Sequence, residues 1–354
     1  TGYESLERTY IEDRDGSALL ALDSHYFNEI DLWSQELRLT QDLTPDLSVI
    51  WGVFYSEDEV DAHDDFSAVD LLALLGLSPA TNIGNFYDQK TTSAAVFAHS
   101  QWQFSTDWNL TAGLRYTDAE QSQKTTDFMA GDAVTRAELG ETAWTTQLGL
   151  VYDLTDSTSL YTSRNEAFVP QQGTTSGRQP LDAEESVQYE AGVRVTADRL
   201  NINAAGFIIE KDNMAISDPL NAGFEVAQGR ARSQGAELTV DGYATSNLYL
   251  SAGYGYTDTE VLRTDDQTLE GNRFVNVPLH TAALQSRYYL NAVTGLSLGG
   301  TVAYVDERPA NADNSVTLPA YTRVDLGAYY AVTDALQLDL LLNNVTDEEI
   351  FSPG

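Results

Sequence analysis

The 354-residue sequence contains no cysteine, and only 19 lysine and arginine residues stand against 54 aspartates and glutamates, a formal net charge of −35. The absence of cysteine excludes a disulfide-stapled scaffold, a thiolate metal site and a cysteine nucleophile. The shortage of basic residues argues against nucleic acid as a partner, because a phosphate-binding surface must be basic. The longest uninterrupted apolar run, 71–77, is far too short for a membrane-spanning helix.

Disorder does not explain the acidity, because 42% of the residues are hydrophobic and 10% are aromatic, well above the composition of disordered chains. The length suits two or three ordinary domains or one large β-barrel. The chain opens at residues 1–4 without a signal peptide, in a pattern typical of the middle of a strand. We therefore expect a fragment of a longer protein.

Alternation of apolar and polar residues is the dominant pattern. It is clearest at 189–196, 247–256, 322–330 and 336–343. A period of two over about eight to ten residues predicts a half-buried strand. In the segment 202–209 apolar residues occupy both parities, so the pattern does not assign its faces.

Short polar turns recur along the chain and alternate with long connections. The turns are at 42–46, 105–109, 153–157, 196–199, 244–247, 291–295 and 331–335. Neighbouring turns are 41 to 63 residues apart, which leaves room for two strands of about ten residues and one long loop. The predicted long loops are 57–88, 117–141, 165–184, 212–224, 257–276 and 306–318.

These patterns predict an all-β fold, an antiparallel transmembrane β-barrel with long extracellular loops and short periplasmic turns. One strand face carries Leu, Val, Ala and Tyr, and the other carries Gly, Ser and charged residues, as expected for a lipid-facing surface and a polar lumen. A β-propeller shares the repeat length but needs four short strands in each repeat. Near the predicted strand ends lie Trp108, Tyr152, Tyr254, Tyr256, Tyr288, Tyr304 and Tyr330. Such residues gather at membrane interfaces.

Seven segments carry a family resemblance: 35–39 (QELRL), 113–117 (GLRYT), 166–170 (EAFVP), 181–194 (LDAEESVQYEAGVR), 232–238 (RSQGAEL), 276–281 (NVPLHT) and 343–351 (NNVTDEEIF). In order and spacing they resemble the barrel domain of the TonB-dependent outer-membrane receptors. Ala183 departs from the pattern, since the family usually has proline there. The resemblance extends over nearly the whole chain.

The resemblance implies an active-transport receptor in a Gram-negative outer membrane, which takes up a ferric siderophore or a similar scarce nutrient and is energised through TonB. It also implies a plug domain inside a barrel of twenty-two strands. We count about fifteen strands, so residues 1–354 are expected to be a partial barrel without the plug, the TonB-coupling segment and the last strand. The implied partners are the plug, TonB, the iron–siderophore or other nutrient, membrane lipid and lipopolysaccharide. No nucleic acid and no cofactor is implied.

Five charged residues on the polar parity are candidate plug contacts: Glu190, Glu237, Arg115, Arg194 and Arg323. In the resembled family, glutamates at these motif positions pair with plug arginines. Charge-assisted pairs in a wet lumen can hold a plug and still exchange with water. Ordinary lumenal carboxylates are the alternative. The arginines, with Arg287, are expected to form an ion-pair ladder with carboxylates such as Asp325 and Asp339, or to bind an anionic ligand.

Seven aromatic residues in the predicted loops are candidates for an apolar platform under the ligand: Phe66, Phe86, Tyr87, Phe128, Phe168, Phe224 and Phe274. Packing within the loops is the alternative for each. The acidic cluster at 58–65, with His63, has the oxygen ligands of a hard cation. It matches no defined metal loop, and we expect a solvated loop without metal. A short amphipathic helix is predicted at 66–77.

Catalysis is not predicted, because the sequence has only four histidines and no clustered nucleophile, base and acid. Two further functions remain open. A passive porin would have an in-folded constriction loop and no glutamates that contact a plug. A soluble β-propeller or carbohydrate-binding protein would be extracted without detergent.

Overall fold

The computed structural model describes residues 1–13, 23–67, 83–127, 133–171, 181–217 and 225–352. Within these ranges the chain is almost entirely strand, with one helical element, a 3₁₀ turn at Gln267–Leu269. The part of the chain described contains no helix long and apolar enough to cross a membrane. An all-β fold is confirmed.

The strands follow one another in chain order as β1 Gly2–Asp13, β2 Asp23–Thr44, β3 Leu47–Ser67, β4 Ile83–Ser105, β5 Trp108–Asp127, β6 Ala133–Thr155, β7 Thr158–Val169, β8 Glu184–Thr196, β9 Leu200–Ser217, β10 Glu225–Tyr243, β11 Leu248–Arg263, β12 His280–Tyr289, β13 Leu296–Val305, β14 Arg308–Pro309, β15 Thr317–Leu318, β16 Tyr321–Thr333 and β17 Leu336–Leu342. The strands β14 and β15 form a separate small hairpin. The other fifteen form one sheet in chain order, with β1 and β17 at its edges. All neighbours in that sheet are antiparallel, as each hairpin requires.

The short turns fall at the positions that the sequence predicts, between β2 and β3 and at six later hairpins. Threonine hydroxyls close several of them. The Thr44 hydroxyl oxygen accepts the amide of Asp46 at 3.3 Å, and Thr155 accepts that of Ser157 at 3.2 Å. This side-chain capping of an amide two residues ahead favours a tight turn, which is why the turns are visible in the sequence.

The strands are longer than the ten residues that the alternation predicts. β2 to β6 contain 20 to 23 residues each. They continue into the segments 57–88 and 117–141, which we expected to be loops. The predicted helix at 66–77 is wrong at its start, because residues 66–67 end β3; the rest of it lies outside the described residues.

The register separates the sheet into two faces, because side chains of directly paired residues lie on the same side. One face carries large apolar side chains that no other part of the described chain covers: Leu37, Val53, Val96, Leu114, Leu148, Leu160, Tyr189, Ile208, Leu238, Leu284, Val302, Leu326 and Leu340. An uncovered apolar face of this kind is what the sequence pattern predicts for the outer surface of a barrel. The register also assigns 202–209: Ile208 faces outward with Tyr189, and Phe207 faces inward with Glu190.

Aromatic pairs border the outward apolar band at two levels. Trp108 stacks on Tyr152 at 4.5 Å beside a short turn. Tyr116 packs against Trp144 at 4.9 Å, eight residues further along β5. Eight residues correspond to roughly 26 Å of strand, close to what a tilted strand needs to cross the apolar band of a barrel. The predicted interfacial position of Trp108 and Tyr152 agrees with this spacing.

Candidate functional site

Glu190 and Arg194 lie on the inward face of β8, on either side of Gly192. The ring of Tyr161, from β7, covers Gly192, since a Cβ atom built there would lie 2.6 Å from the ring. The guanidinium of Arg194 stacks over this ring at 4.4 Å, and the Tyr161 hydroxyl interacts with Glu190. Gln188 donates a hydrogen bond to Glu190 at 3.1 Å. Neither charged group forms an ion pair with another described residue, so both remain available to a partner.

Glu237 lies on the same inward face, in β10. The register pairs Glu190 with Phe207 of β9, and Phe207 in turn with Gly235. Glu237 is therefore two strands and one side-chain row away, on the order of 10 Å from Glu190. Its cross-strand neighbours are an alanine and a glycine, which leave its side chain exposed to the lumen.

The arrangement of an arginine on an aromatic ring that covers a glycine recurs along the inward face. Arg287 lies 4.2 Å over the ring of Tyr329, and that ring packs against Gly327. Arg115 lies 5.0 Å over the ring of Phe54 and 5.9 Å from that of Phe97, and Phe97 covers another glycine. Stacking holds a guanidinium plane in place but leaves its positive charge without a counter-charge.

The predicted ladder of ion pairs is present at only one of its four arginines among the described residues. Arg323 contacts the carboxylate of Asp325 at 2.9 Å. Asp325 also accepts the main-chain amide of Asn344 at 2.7 Å, which fastens the segment after β17 to the wall. The other three arginines stack on aromatic rings instead. Parity in the sequence placed them correctly on the inward face but could not show which residues of neighbouring strands they contact.

The predicted aromatic platform is only partly within the described structure. Phe128 and Phe224 lie outside the described residues, and for Phe66 and Phe86 only the strand backbone is described. The other three side chains lie apart from one another. Tyr87 bonds to Gln89 on the inward face of β4, Phe168 is on the outward face of β7, and Phe274 lines a cavity beyond the end of β11.

The described ends of the connection from β7 to β8, residues 170–171 and 181–183, are fastened across the inward face, which the sequence did not indicate. Leu181 is 0% exposed, and the amide of Ala183 donates to both oxygens of Glu141 at 2.9 and 3.1 Å. The Gln171 side chain donates to the main-chain oxygen of Asn213 at 2.6 Å. Proline has no amide hydrogen, so the alanine at position 183, where the resembled motif usually has proline, is what permits the contact with Glu141.

The acidic cluster at 58–65 is not a loop but part of β3, and strand alternation divides it between two faces. Glu59 faces outward and accepts a hydrogen bond from Lys90 at 2.8 Å. Asp58 faces inward, paired across the sheet with Thr91. No group of three potential metal ligands is found among the residues that the structure covers.

Arg308 joins three segments at the extracellular end of the wall. Arg308 is 7% exposed, and its side chain donates to Asn276 Oδ1 at 2.7 Å and to the main-chain oxygen of Phe351 at 2.6 Å. Asn276 has a positive φ of 63°, which asparagine tolerates better than most residues. The conformation of Asn276, in the predicted 276–281 motif, therefore suits its role as the acceptor for Arg308.

Replacing Arg308 by methionine is expected to lower the free energy of unfolding by about 3 kcal/mol, because two hydrogen bonds from a charged donor are lost. Amide hydrogens in 343–351 should exchange faster, which hydrogen–deuterium exchange of the full-length protein measures. Arg38→Met is the matched control, since the Arg38 side chain is 64% exposed. Equal exchange in the two variants would contradict the role assigned to Arg308.

Comparison with known proteins agrees with this geometry. The family model of the TonB-dependent receptor-like β-barrel matches residues 1–345. The metal–pseudopaline receptor CntO of Pseudomonas aeruginosa is 32% identical over 269 residues, which is 74% of this chain and 38% of that protein. The ferrioxamine B receptor of Salmonella typhimurium is 28% identical over 259 residues, 70% of this chain and 36% of its own length. The chain thus spans well under half of these relatives.

Solved structures share the fold. The siderophore receptor PiuA of Acinetobacter baumannii superposes with a TM-score of 0.82 at 22% identity, over 99% of this chain and 57% of that one. The ferric yersiniabactin uptake receptor FyuA of Yersinia pestis gives 0.83 at 18% identity, over 98% and 52%. A single sheet of fifteen strands also excludes the four-stranded blades of a propeller. The protein lies in a Gram-negative outer membrane, and the chain belongs to the family of TonB-dependent receptor β-barrels.

Proposed function

We propose that the full-length protein is an active-transport receptor that takes up a ferric siderophore or a similar scarce nutrient and is energised through TonB. The family match over residues 1–345 carries this proposal. The relatives named for metal–pseudopaline and ferrioxamine B support the class of cargo. The described chain would contribute the wall and the extracellular rim, and it has no catalytic part in the transport.

The inward charged residues support a plug socket in this wall. Glu190, Glu237, Arg115, Arg194 and Arg323 all lie on the lumenal face. The two glutamates would accept hydrogen bonds from plug arginines, and the stacked arginines would face plug carboxylates. Because the lumen is wet, such pairs can exchange with water when the plug is pulled.

Membrane lipid and lipopolysaccharide are the partners proposed for the outward face. The apolar band supports contact with acyl chains. Further along the strands, beyond Tyr116 and Trp144, Lys124 and Arg136 are directly paired and face outward. Basic residues at this level, beside carboxylates such as Asp88, suit a surface of phosphate groups and divalent cations.

Uptake in cells tests the proposal. Cells that carry the full-length gene, grown under iron limitation, are expected to accumulate radioactive iron from siderophores in culture supernatant, and deletion of either this gene or the TonB gene should abolish the accumulation. Equal uptake in the wild type and the gene deletion would reject the function. Steady ion conductance of the purified protein in planar bilayers would indicate a passive porin instead.

A further inference from the structure

A cavity of about 320 Å³ lies at the extracellular ends of β9, β10 and β11, beneath the segment that follows β11. Its apolar lining includes Met214, Ile216, Val261, Leu269 and Phe274. Among the described residues, its charged lining consists of Arg230, Arg263 and Arg273, without any aspartate or glutamate. In a chain with 54 acidic residues and 19 basic ones, a cavity whose described lining carries three arginines and no carboxylate is unusual in its charge.

Hydrogen bonds fix the segment that covers the cavity. The amide of Phe274 donates to the Thr259 hydroxyl oxygen at 2.9 Å. The amide of Arg273 donates to Asn314 Oδ1 at 2.9 Å, and the Asn314 side chain donates back to the Arg273 main-chain oxygen at 3.0 Å. The cavity is therefore formed before any ligand arrives, as most small-molecule sites are.

A loop carboxylate also stabilises this segment. Asp266 accepts hydrogen bonds from the Thr268 hydroxyl at 2.7 Å and from its amide at 2.9 Å, and these bonds hold the pKa of Asp266 below its usual value. Because the pKa of Asp266 is lowered, these hydrogen bonds are fully present at neutral pH. They are lost only as the pH falls through that lowered pKa.

The charges around the cavity are incompletely balanced. Arg230 and Arg263 are direct cross-strand partners, an arrangement of like charges that destabilises a sheet. Arg230 has an ion pair with Asp212, whereas Arg263 and Arg273 have no carboxylate partner among the described residues. Arg273 donates through Nη2 to the Val277 oxygen at 2.9 Å, but its buried Nε lacks an acceptor. A bound anion would supply both the missing negative charge and the missing acceptor.

We propose that this cavity binds the anionic, ring-bearing part of a metal chelate. The guanidinium groups of Arg263 and Arg273 would bind its charged oxygens, and Phe274 would pack against its ring. The volume lies at the lower end of the range for small-molecule sites, so the cavity holds part of a chelate. This inference rests on the proposed uptake function and adds that the cargo is an anionic chelate rather than a neutral one.

Two synthetic iron(III) complexes test the inference by calorimetric titration of the purified full-length receptor. One uses a hexadentate tris-catechol chelator and carries three negative charges; the other uses a hexadentate tris-hydroxamate chelator and is neutral. The wild type is expected to bind the anionic complex more tightly. The double variant Arg263→Gln/Arg273→Gln should bind the anionic complex about tenfold to hundredfold more weakly, since charge-assisted hydrogen bonds are lost, and its binding of the neutral complex should not change.

The matched control is Arg232→Gln. Arg232 lies two residues from Arg230 in β10, is ion-paired with Glu260 and does not line the cavity. This variant should bind the anionic complex like the wild type. Heat-modifiable gel mobility shows that each variant is folded.

Three results would overturn the inference: no binding of the anionic complex by the wild type, equal or tighter binding of the neutral complex, or unchanged affinity in the folded double variant. The binding and uptake experiments distinguish failure of the cavity assignment from failure of the proposed transport function. Arginine-dependent binding in vitro without TonB-dependent uptake in cells would reject the transport function and leave the cavity assignment intact. TonB-dependent uptake of a chelate whose binding does not depend on these arginines would reject the cavity assignment alone.

Discussion

Replacing Glu190 and Glu237 by glutamine in the full-length receptor is expected to raise the leak of a small dye through the barrel roughly tenfold or more. Each glutamate faces the lumen without an ion-pair partner among the described residues. If each holds one plug arginine, the double replacement removes about 1 kcal/mol or more at each site. About 1.4 kcal/mol in total already shifts the seated and displaced plug populations tenfold.

Dye entry into cells or into vesicles that contain the purified receptor measures this leak. Glu185→Gln is the matched control, because Glu185 lies in the same strand β8 but pairs across the sheet with Phe168 on the outward face. The control should leave the leak unchanged. An unchanged leak in the folded double variant would contradict the plug socket and favour the view that both glutamates are ordinary lumenal carboxylates.

The strand content, the turns and the two faces of the wall could be predicted from the sequence because each has a local cause. Alternation across the apolar band follows from the different environments of the two faces, and it is clear at 322–330. The tight turns are encoded by side chains such as Thr44 and Thr155 that cap their own turn. These signals do not depend on the partner strand.

The length of the strands could not be predicted, and the reason is also physical. Beyond the aromatic border both faces of β3 and β4 are in polar surroundings, so the hydrophobic alternation ends while the hydrogen-bonded ladder continues. Glu59 and Lys90, for example, are direct cross-strand partners in a segment that looks like a loop in the sequence. Backbone pairing there is supported by cross-strand charge pairs, which a single-sequence pattern does not reveal.

The candidate sites were predictable only in part, for a related reason. Parity placed Glu190, Arg194 and Arg323 on the lumenal face correctly. The contacts of these residues come from neighbouring strands, and the register that sets them is not visible in one sequence. Tyr161 lies 33 residues before Arg194 in the sequence, yet its ring carries that guanidinium. The arginine cavity likewise depends on the irregular pairing of β10 with β11 next to Arg230.

Replacing Gly192 by alanine is expected to destabilise the barrel by about 1–3 kcal/mol, the usual effect of overpacking a well-fitted contact. A Cβ atom at this position would lie 2.5 Å from the main-chain oxygen of Ala204 and 2.6 Å from the ring of Tyr161. The ring can rotate away, but the oxygen belongs to the neighbouring strand and moves only with the sheet. Removing the ring in Tyr161→Ala should therefore not rescue the variant fully.

Gly253→Ala is the matched control, because Gly253 also lies on the inward face and an added Cβ meets nothing within 4 Å. This control should be neutral or slightly more stable, since alanine restricts the unfolded chain more than glycine does. Urea unfolding of the receptor in lipid vesicles measures both variants. Equal urea midpoints for the Gly192→Ala and Gly253→Ala variants would show that the sheet around Gly192 adjusts to the added methyl group. Tyr161 would then not be held in a fixed place against β8, and the positions of Glu190 and Arg194 on either side of its ring would not depend on the glycine.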